Sequence, residues 1–197
     1  MRRRLRILAC LATCLATSAG AGELKPLPVF DRVLALPTPR AVADLPMTDH
    51  NGVRRQLRDF GGQPVLVFFG FTHCPDVCPM TIQKLALLKS SRAKELDGVR
   101  VVMVSVDGER DTPAAMKEFL ARFSPDFVGL TAPAAQVREL AAGFAAQFFK
   151  DPPRDGAYGV QHSTRVYALD KQGRLRAEMY DASGDATVGV ARALMAE

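Results

Sequence analysis

The sequence predicts an α/β domain in which a central mixed sheet is flanked by helices, and three observations carry that reading. Two near-continuous apolar runs, PVLVFFG (64–70) and VRVVMVSVD (99–107), look like strands buried on both faces. Between them Ile82, Leu85, Ala86 and Leu88 recur at spacings of three and four. That gives a helix over roughly 79–95 and hence a parallel strand–helix–strand unit. Further on, STRVYAL (163–169) and RLRAEMY (174–180) flank the turn DKQG, and Leu175, Ala177 and Met179 alternate as a half-buried strand does.

The remaining elements follow from local signals. Arg2, Arg3, Arg4 and Arg6 precede an uncharged run over residues 7–22, the pattern of an export signal. The run is shorter than the about 20 predominantly apolar residues that span a bilayer. Ala19 and Ala21 supply a small-x-small cleavage pattern that would leave a chain starting at Gly22. Lipid attachment at Cys14, or retention of residues 1–21 as an anchor, are the alternatives. Residues 22–44 carry Pro26, Pro28, Pro37 and Pro39 without a sustained period and are expected to be a proline-rich linker ahead of a domain over 45–197. DHNG (49–52) reads as the turn of an N-terminal hairpin leading towards LRDFGGQ. Thr112 and Pro113 look like the cap and first position of a helix whose buried stripe is Met116, Phe119, Leu120 and Phe123. A helix over about 133–142 carries Val137, Leu140 and Ala141, and a last one carries Val188, Ala191, Leu194 and Met195.

Charge excludes one class of function. The chain has 26 basic residues, and without the four arginines of the export signal 22 stand against 21 acidic ones. No basic patch interleaved with aromatics remains, so nucleic acid is not an expected partner.

Cys10 and Cys14 belong to the export signal, which leaves Cys74 and Cys78 in FFGFTHCPDVCPM. In an exported protein this pair can be oxidised at rest. A purely structural disulfide is the bland reading, and it is weak because loop-entropy stabilisation shrinks with so short a loop. Pro75 and Pro79 cannot both lie in a regular helix interior, so the helix is expected to start near Pro79 with Cys78 at its cap and Cys74 on the turn before it. The positive end of a helix lowers thiol pKa, while Asp76 opposes it. Three intervening residues give a wider bite than Cys-x-x-Cys, suited to a redox couple or to one pinched metal ion. Two thiolates are an incomplete site, and His50, His73 and His162 are the available imidazoles. His50 lies in a polar turn and reads as exposed. The side chain of His73 is expected to point away from that of Cys74. His162 ends the loop DPPRDGAYGVQ and begins a strand, and its spacing alone favours a surface or hydrogen-bonded role over ligation.

FFGFTHCPDVCP, VSVDGERDTP and YGVQHSTRVYALDKQGRL, in that order, resemble the Sco (SenC) family of copper-delivery proteins over most of residues 45–196. The resemblance implies a thioredoxin-like fold, an exported and often membrane-tethered protein, and a role in assembling the dinuclear copper centre of cytochrome c oxidase. It implies a copper site of Cys74, Cys78 and His162, with Asp107 as an acidic neighbour. Gly108 departs from the family, which commonly has proline there. The expected partners are the copper-bearing oxidase subunit, other periplasmic copper carriers and thiol reductants, and the expected state is a monomer in the periplasm. Attachment to the outer face of the inner membrane is the alternative to a free periplasmic protein. Soft thiolates select Cu(I), imidazole accepts either oxidation state, and a site with few ligands can pass its ion on by ligand exchange.

Other functions fit the same residues. A thiol-disulfide oxidoreductase would use Cys74 and Cys78 alone. A peroxidase of the peroxiredoxin type would carry Thr or Ser three residues before the reactive cysteine, where this chain has Phe71. A closed zinc site wants four ligands and three are evident.

Overall fold

A computed structural model describes residues 25–197, so the expected export signal, its cleavage site and Cys14 lie outside the described residues. In chain order the strands and helices are β1 (Val33–Arg40), β2 (Met47–Asp49), β3 (Arg54–Arg55), a 3-10 turn (Leu57–Phe60), β4 (Val65–Gly70), α1 (Val77–Ser91), β5 (Arg100–Ser105) and α2 (Pro113–Ala121). They continue with β6 (Val128–Thr131), α3 (Ala134–Gly143), β7 (Phe148–Lys150), β8 (Val160–His162), β9 (Val166–Leu169), β10 (Leu175–Met179) and α4 (Gly184–Met195).

Every residue of β4 is buried, as its apolar run predicts. Its side chains alternate between two cores. Leu66 and Phe68 pack with Ile82 and Leu85 of α1, Met116 of α2 and Leu194 of α4; Val65, Val67 and Phe69 pack with Val137, Leu140 and Ala141 of α3. The eight-stranded sheet runs β1-β10-β9-β4-β5-β6-β2-β3. β4, β5 and β6 are parallel, and the other neighbours pair antiparallel, which makes the sheet mixed. The site-bearing end of the sheet is where β4 runs into α1.

Several expectations need correction. Residues 33–40 are an edge strand and not a linker: β1 pairs with β10, and its register breaks between Ala35 and Arg40 around Pro37 and Pro39. Prolines are tolerated there because an edge strand has no outer neighbour that needs its N–H groups. Leu27 is buried too, so the domain starts well before residue 45. β10, expected to be half-buried, is buried throughout; a bulge between Leu175 and Ala177 sends Leu175 to one core and Ala177 and Met179 to the other. β6 and the separate ribbon β7–β8, in which Phe148 pairs with His162, had no readable sequence period because each is only three or four residues long.

The turns behave as their residues dictate. Thr112 caps α2 by accepting from the Ala115 N–H, and Pro113 occupies the first turn. In the β2–β3 hairpin Asp49 accepts from the Asn51 and Val53 N–H groups, both at 2.9 Å, and Gly52 takes a positive φ of 79°. β2 also pairs with β6, which makes the hairpin an extension of the main sheet.

Candidate metal centre

The chain leaves β4 at Gly70, turns through residues 71–76 and enters α1. Asp76 occupies the cap position, so Cys78 is the second residue of the helix and Pro79 the third, not cap and first position as expected. Pro79 is still compatible with the first turn. Asp111, fully buried, fastens the turn by accepting from the Thr72 N–H at 3.0 Å, the Thr72 hydroxyl at 2.6 Å and the Ser105 hydroxyl at 2.7 Å. Cys74 Sγ, half-buried, accepts from the Cys78 N–H at 3.4 Å. Gly70 lets the strand approach the second sulfur, because a Cβ there would lie 3.0 Å from Cys78 Sγ.

His162 reaches the pair from the other side. It closes β8 instead of opening the following strand, and its Nε2 lies 3.2 Å from Cys78 Sγ. Nδ1 lies 2.9 Å from the Ser163 carbonyl, which can only accept. The ring proton therefore sits on Nδ1 and the Nε2 lone pair faces the sulfurs. Burial lowers the His162 pKa and favours the neutral, ligating imidazole. Burial also pushes the Cys78 thiol up, with proximity to Cys74 adding to it. The expected lowering of its pKa by the helix terminus is therefore overridden by desolvation.

Cys74, Cys78 and His162 place one sulfur or nitrogen each within 4.8 Å of one another. Metal–sulfur and metal–nitrogen bonds of about 2.0–2.3 Å around one ion separate donors by roughly 3.5–4 Å, so small side-chain rotations close this set on a single ion. Two soft sulfurs and a borderline nitrogen suit a soft or borderline metal.

The other singled-out residues stay outside this cluster. His73 is exposed, with Nδ1 3.0 Å from the Thr72 hydroxyl and 3.6 Å from Asp111. His50 is half-buried and not exposed as expected: its Nδ1 accepts from the Gly129 N–H at 3.1 Å and fastens the hairpin to β6. Phe71 meets the His162 ring edge to face at 5.7 Å, which gives it a packing role. Asp107 is fully buried and accepts from the Tyr158 hydroxyl at 2.8 Å and from Arg110 Nε, with Lys150 Nζ 3.7 Å away. Gly108 is pressed against the β6–α3 connection, where a Cβ would lie 2.2 Å from the Ala132 carbonyl oxygen. Sequence reading missed Gly70, Arg110, Asp111 and Tyr158. The signal for Arg110 and Asp111 was the charged run GERD after a buried strand, which alone reads as a solvated turn.

The comparisons with known proteins agree with one another. A family model described as SCO1/SenC matches residues 36–194. The chain is similar to the mitochondrial SCO2 homologue of Danio rerio, 39% identical over 133 residues that cover 66% of this chain and 48% of the relative. It spans about half the length of the curated vertebrate relatives it matches. Among solved structures it is similar to Bradyrhizobium japonicum ScoI with copper bound, with a TM-score of 0.70 and 33% identity over 77% of this chain and 98% of that one. Arabidopsis thaliana ScoI with copper bound gives a TM-score of 0.72 and 28% identity over 79% of this chain and 99% of that one. The shared architecture is the mixed sheet with helices on both faces, the thioredoxin-like arrangement that the sequence motifs imply.

Proposed function

The chain belongs to the SCO1/SenC family, and from that premise we propose that it is a copper metallochaperone which holds one copper ion between Cys74, Cys78 and His162 and delivers it during assembly of the cytochrome c oxidase copper centre. The observation that carries the reading is the meeting of two sulfurs from one turn with an imidazole from a separate ribbon. Copper is the cargo. Cys74 and Cys78 bind as thiolates, so loading releases their protons, and His162 supplies the Nε2 lone pair already aimed at the sulfurs. Cys74, the more accessible sulfur, is the natural point at which an acceptor thiolate enters and displaces a ligand. The acceptor is the copper-bearing oxidase subunit, and other periplasmic copper carriers and thiol reductants act before it. Export to the periplasm follows from the residues 2–22 pattern, and among the described residues no helix is long and apolar enough to cross a membrane.

Metal analysis of anaerobically purified protein tests this. One copper per reduced monomer is expected, with loss in Cys74→Ser and Cys78→Ser and strong weakening in His162→Ala. Stoichiometric binding that survives both cysteine substitutions would defeat the proposal.

A second reading, a thiol-disulfide reductase, is favoured by the same pair of close, free sulfurs. There Cys74 and Cys78 lose two electrons and two protons and become a disulfide while the partner's disulfide becomes two thiols; an external dithiol restores them. The two functions separate in His162→Ala, where a reductase keeps its thiol activity and a chaperone holds its cargo far more weakly.

A further inference from the structure

Arg110 stands one layer behind His162. Its guanidinium carbon lies 3.8 Å from the Tyr158 ring centroid and 5.9 Å from that of Phe71. Phe71 in turn meets the His162 ring at a right angle. The side chains therefore run Tyr158, Arg110, Phe71, His162, with the imidazole last.

Hydrogen bonds fix the guanidinium within that series. Nε donates to Asp107, and Nη1 donates to the Tyr158 carbonyl at 3.1 Å. The Tyr158 hydroxyl donates to the second Asp107 oxygen, so arginine, carboxylate and tyrosine close a ring of contacts. The contacts matter because of topology. The β7–β8 ribbon that carries His162 has no strand pairing with the main sheet, and Tyr158 lies just before β8 on the loop between its strands. Arg110 comes from the connection between β5 and α2, which is anchored in the sheet. It thus ties the ribbon to the frame and fills the space behind Phe71. Lys150 of β7 reaches the same carboxylate only at 3.7 Å and is paired with Glu109 at 2.8 Å.

We infer that Arg110 is the positioning residue for His162: through Phe71 and the Tyr158 loop it sets where the imidazole stands relative to the two sulfurs. The inference rests on the reading of Cys74, Cys78 and His162 as copper ligands. A planar fork that can stack and donate in two directions at once is a property of arginine and not of lysine. Charge alone would be kept by Arg110→Lys; the geometry would not.

The test compares wild type, Arg110→Lys, His162→Ala and the double variant, with Phe71→Leu and Tyr158→Phe as further probes should Arg110→Lys fail to fold. In the reduced, metal-free protein the imidazole resonances of His162 are followed by NMR. They are expected to shift or split in Arg110→Lys, Phe71→Leu and Tyr158→Phe. Copper affinity is measured by competition with a chelator, and Arg110→Lys is expected to bind about tenfold more weakly, as loss of an outer-layer partner commonly causes. In the double variant the affinity should match that of His162→Ala alone, because one substitution acts through the other. Unchanged His162 resonances in Arg110→Lys overturn the inference, and so do losses of affinity that simply add. A wild-type protein that binds no copper overturns the functional reading instead, and the imidazole resonances then still decide the role of Arg110.

Discussion

His162 and Cys78 illustrate how burial decides chemistry one side chain at a time. Burial favours the neutral form of each group, which readies the imidazole for a metal and keeps the thiol protonated until a cation arrives. Copper affinity is therefore expected to fall as pH drops, because protons compete for both sulfurs; a chelator competition repeated at several pH values measures it. Gly70 is the tightest steric point beside the sulfur. In Gly70→Ala the new methyl would sit 3.0 Å from Cys78 Sγ and 3.1 Å from the Phe68 ring. We predict a loss of about 1–3 kcal/mol in denaturant unfolding together with weaker copper binding. Unaltered stability and affinity would show that the sulfur has room to retreat.

At the level of elements, turns and edges carry the adjustable parts. Burial opposes ionisation of Asp49, yet the Val53 and Asn51 amides and Arg55 outweigh it and hold its carboxyl below the ordinary 3.8. A group with a depressed folded pKa contributes stability that is complete above its unfolded value and disappears as pH falls through the folded one. The β2–β3 hairpin should therefore weaken below about pH 3.8, and Asp49→Asn should flatten that part of the stability–pH curve. Gly108 makes a second prediction. Its Cβ position lies 2.2 Å from a backbone oxygen that cannot rotate away, so Gly108→Pro should destabilise this chain by about 1–3 kcal/mol. A rise in melting temperature instead would mean that the β6–α3 connection yields to the larger residue.

Across the whole molecule the two ends of the described chain meet. Arg176, almost fully buried, donates to Glu197 and, at 3.2 Å, to the Lys25 carbonyl. Arg176→Ala removes the donor to both termini and leaves the Lys25 carbonyl and the Glu197 carboxylate without it, which should cost about 1–3 kcal/mol in equilibrium unfolding. The copper site is also a whole-molecule feature, since it joins α1 to a ribbon outside the main sheet. An ion that binds only the folded state stabilises it by mass action, about 2.7 kcal/mol at a hundredfold excess over Kd. Copper should accordingly raise the melting temperature of the reduced wild type and do so much less in His162→Ala.

Local pattern along the chain was enough for some elements and for one part of the site. The apolar runs placed β4 and β5, the Thr112–Pro113 signal placed α2, and Cys74 and Cys78 marked the reactive turn because no other cysteine occurs among the described residues. Spacing could not place His162, which lies 84 residues from Cys78, and only the resemblance of its motif to a known family singled it out. Tertiary structure decided the rest. It brought the imidazole within 3.2 Å of a sulfur, buried that sulfur against the pull of the helix terminus, and turned a proline-bearing segment into an edge strand. The reason is that distance through space and desolvation depend on how remote segments pack, and no local period records either.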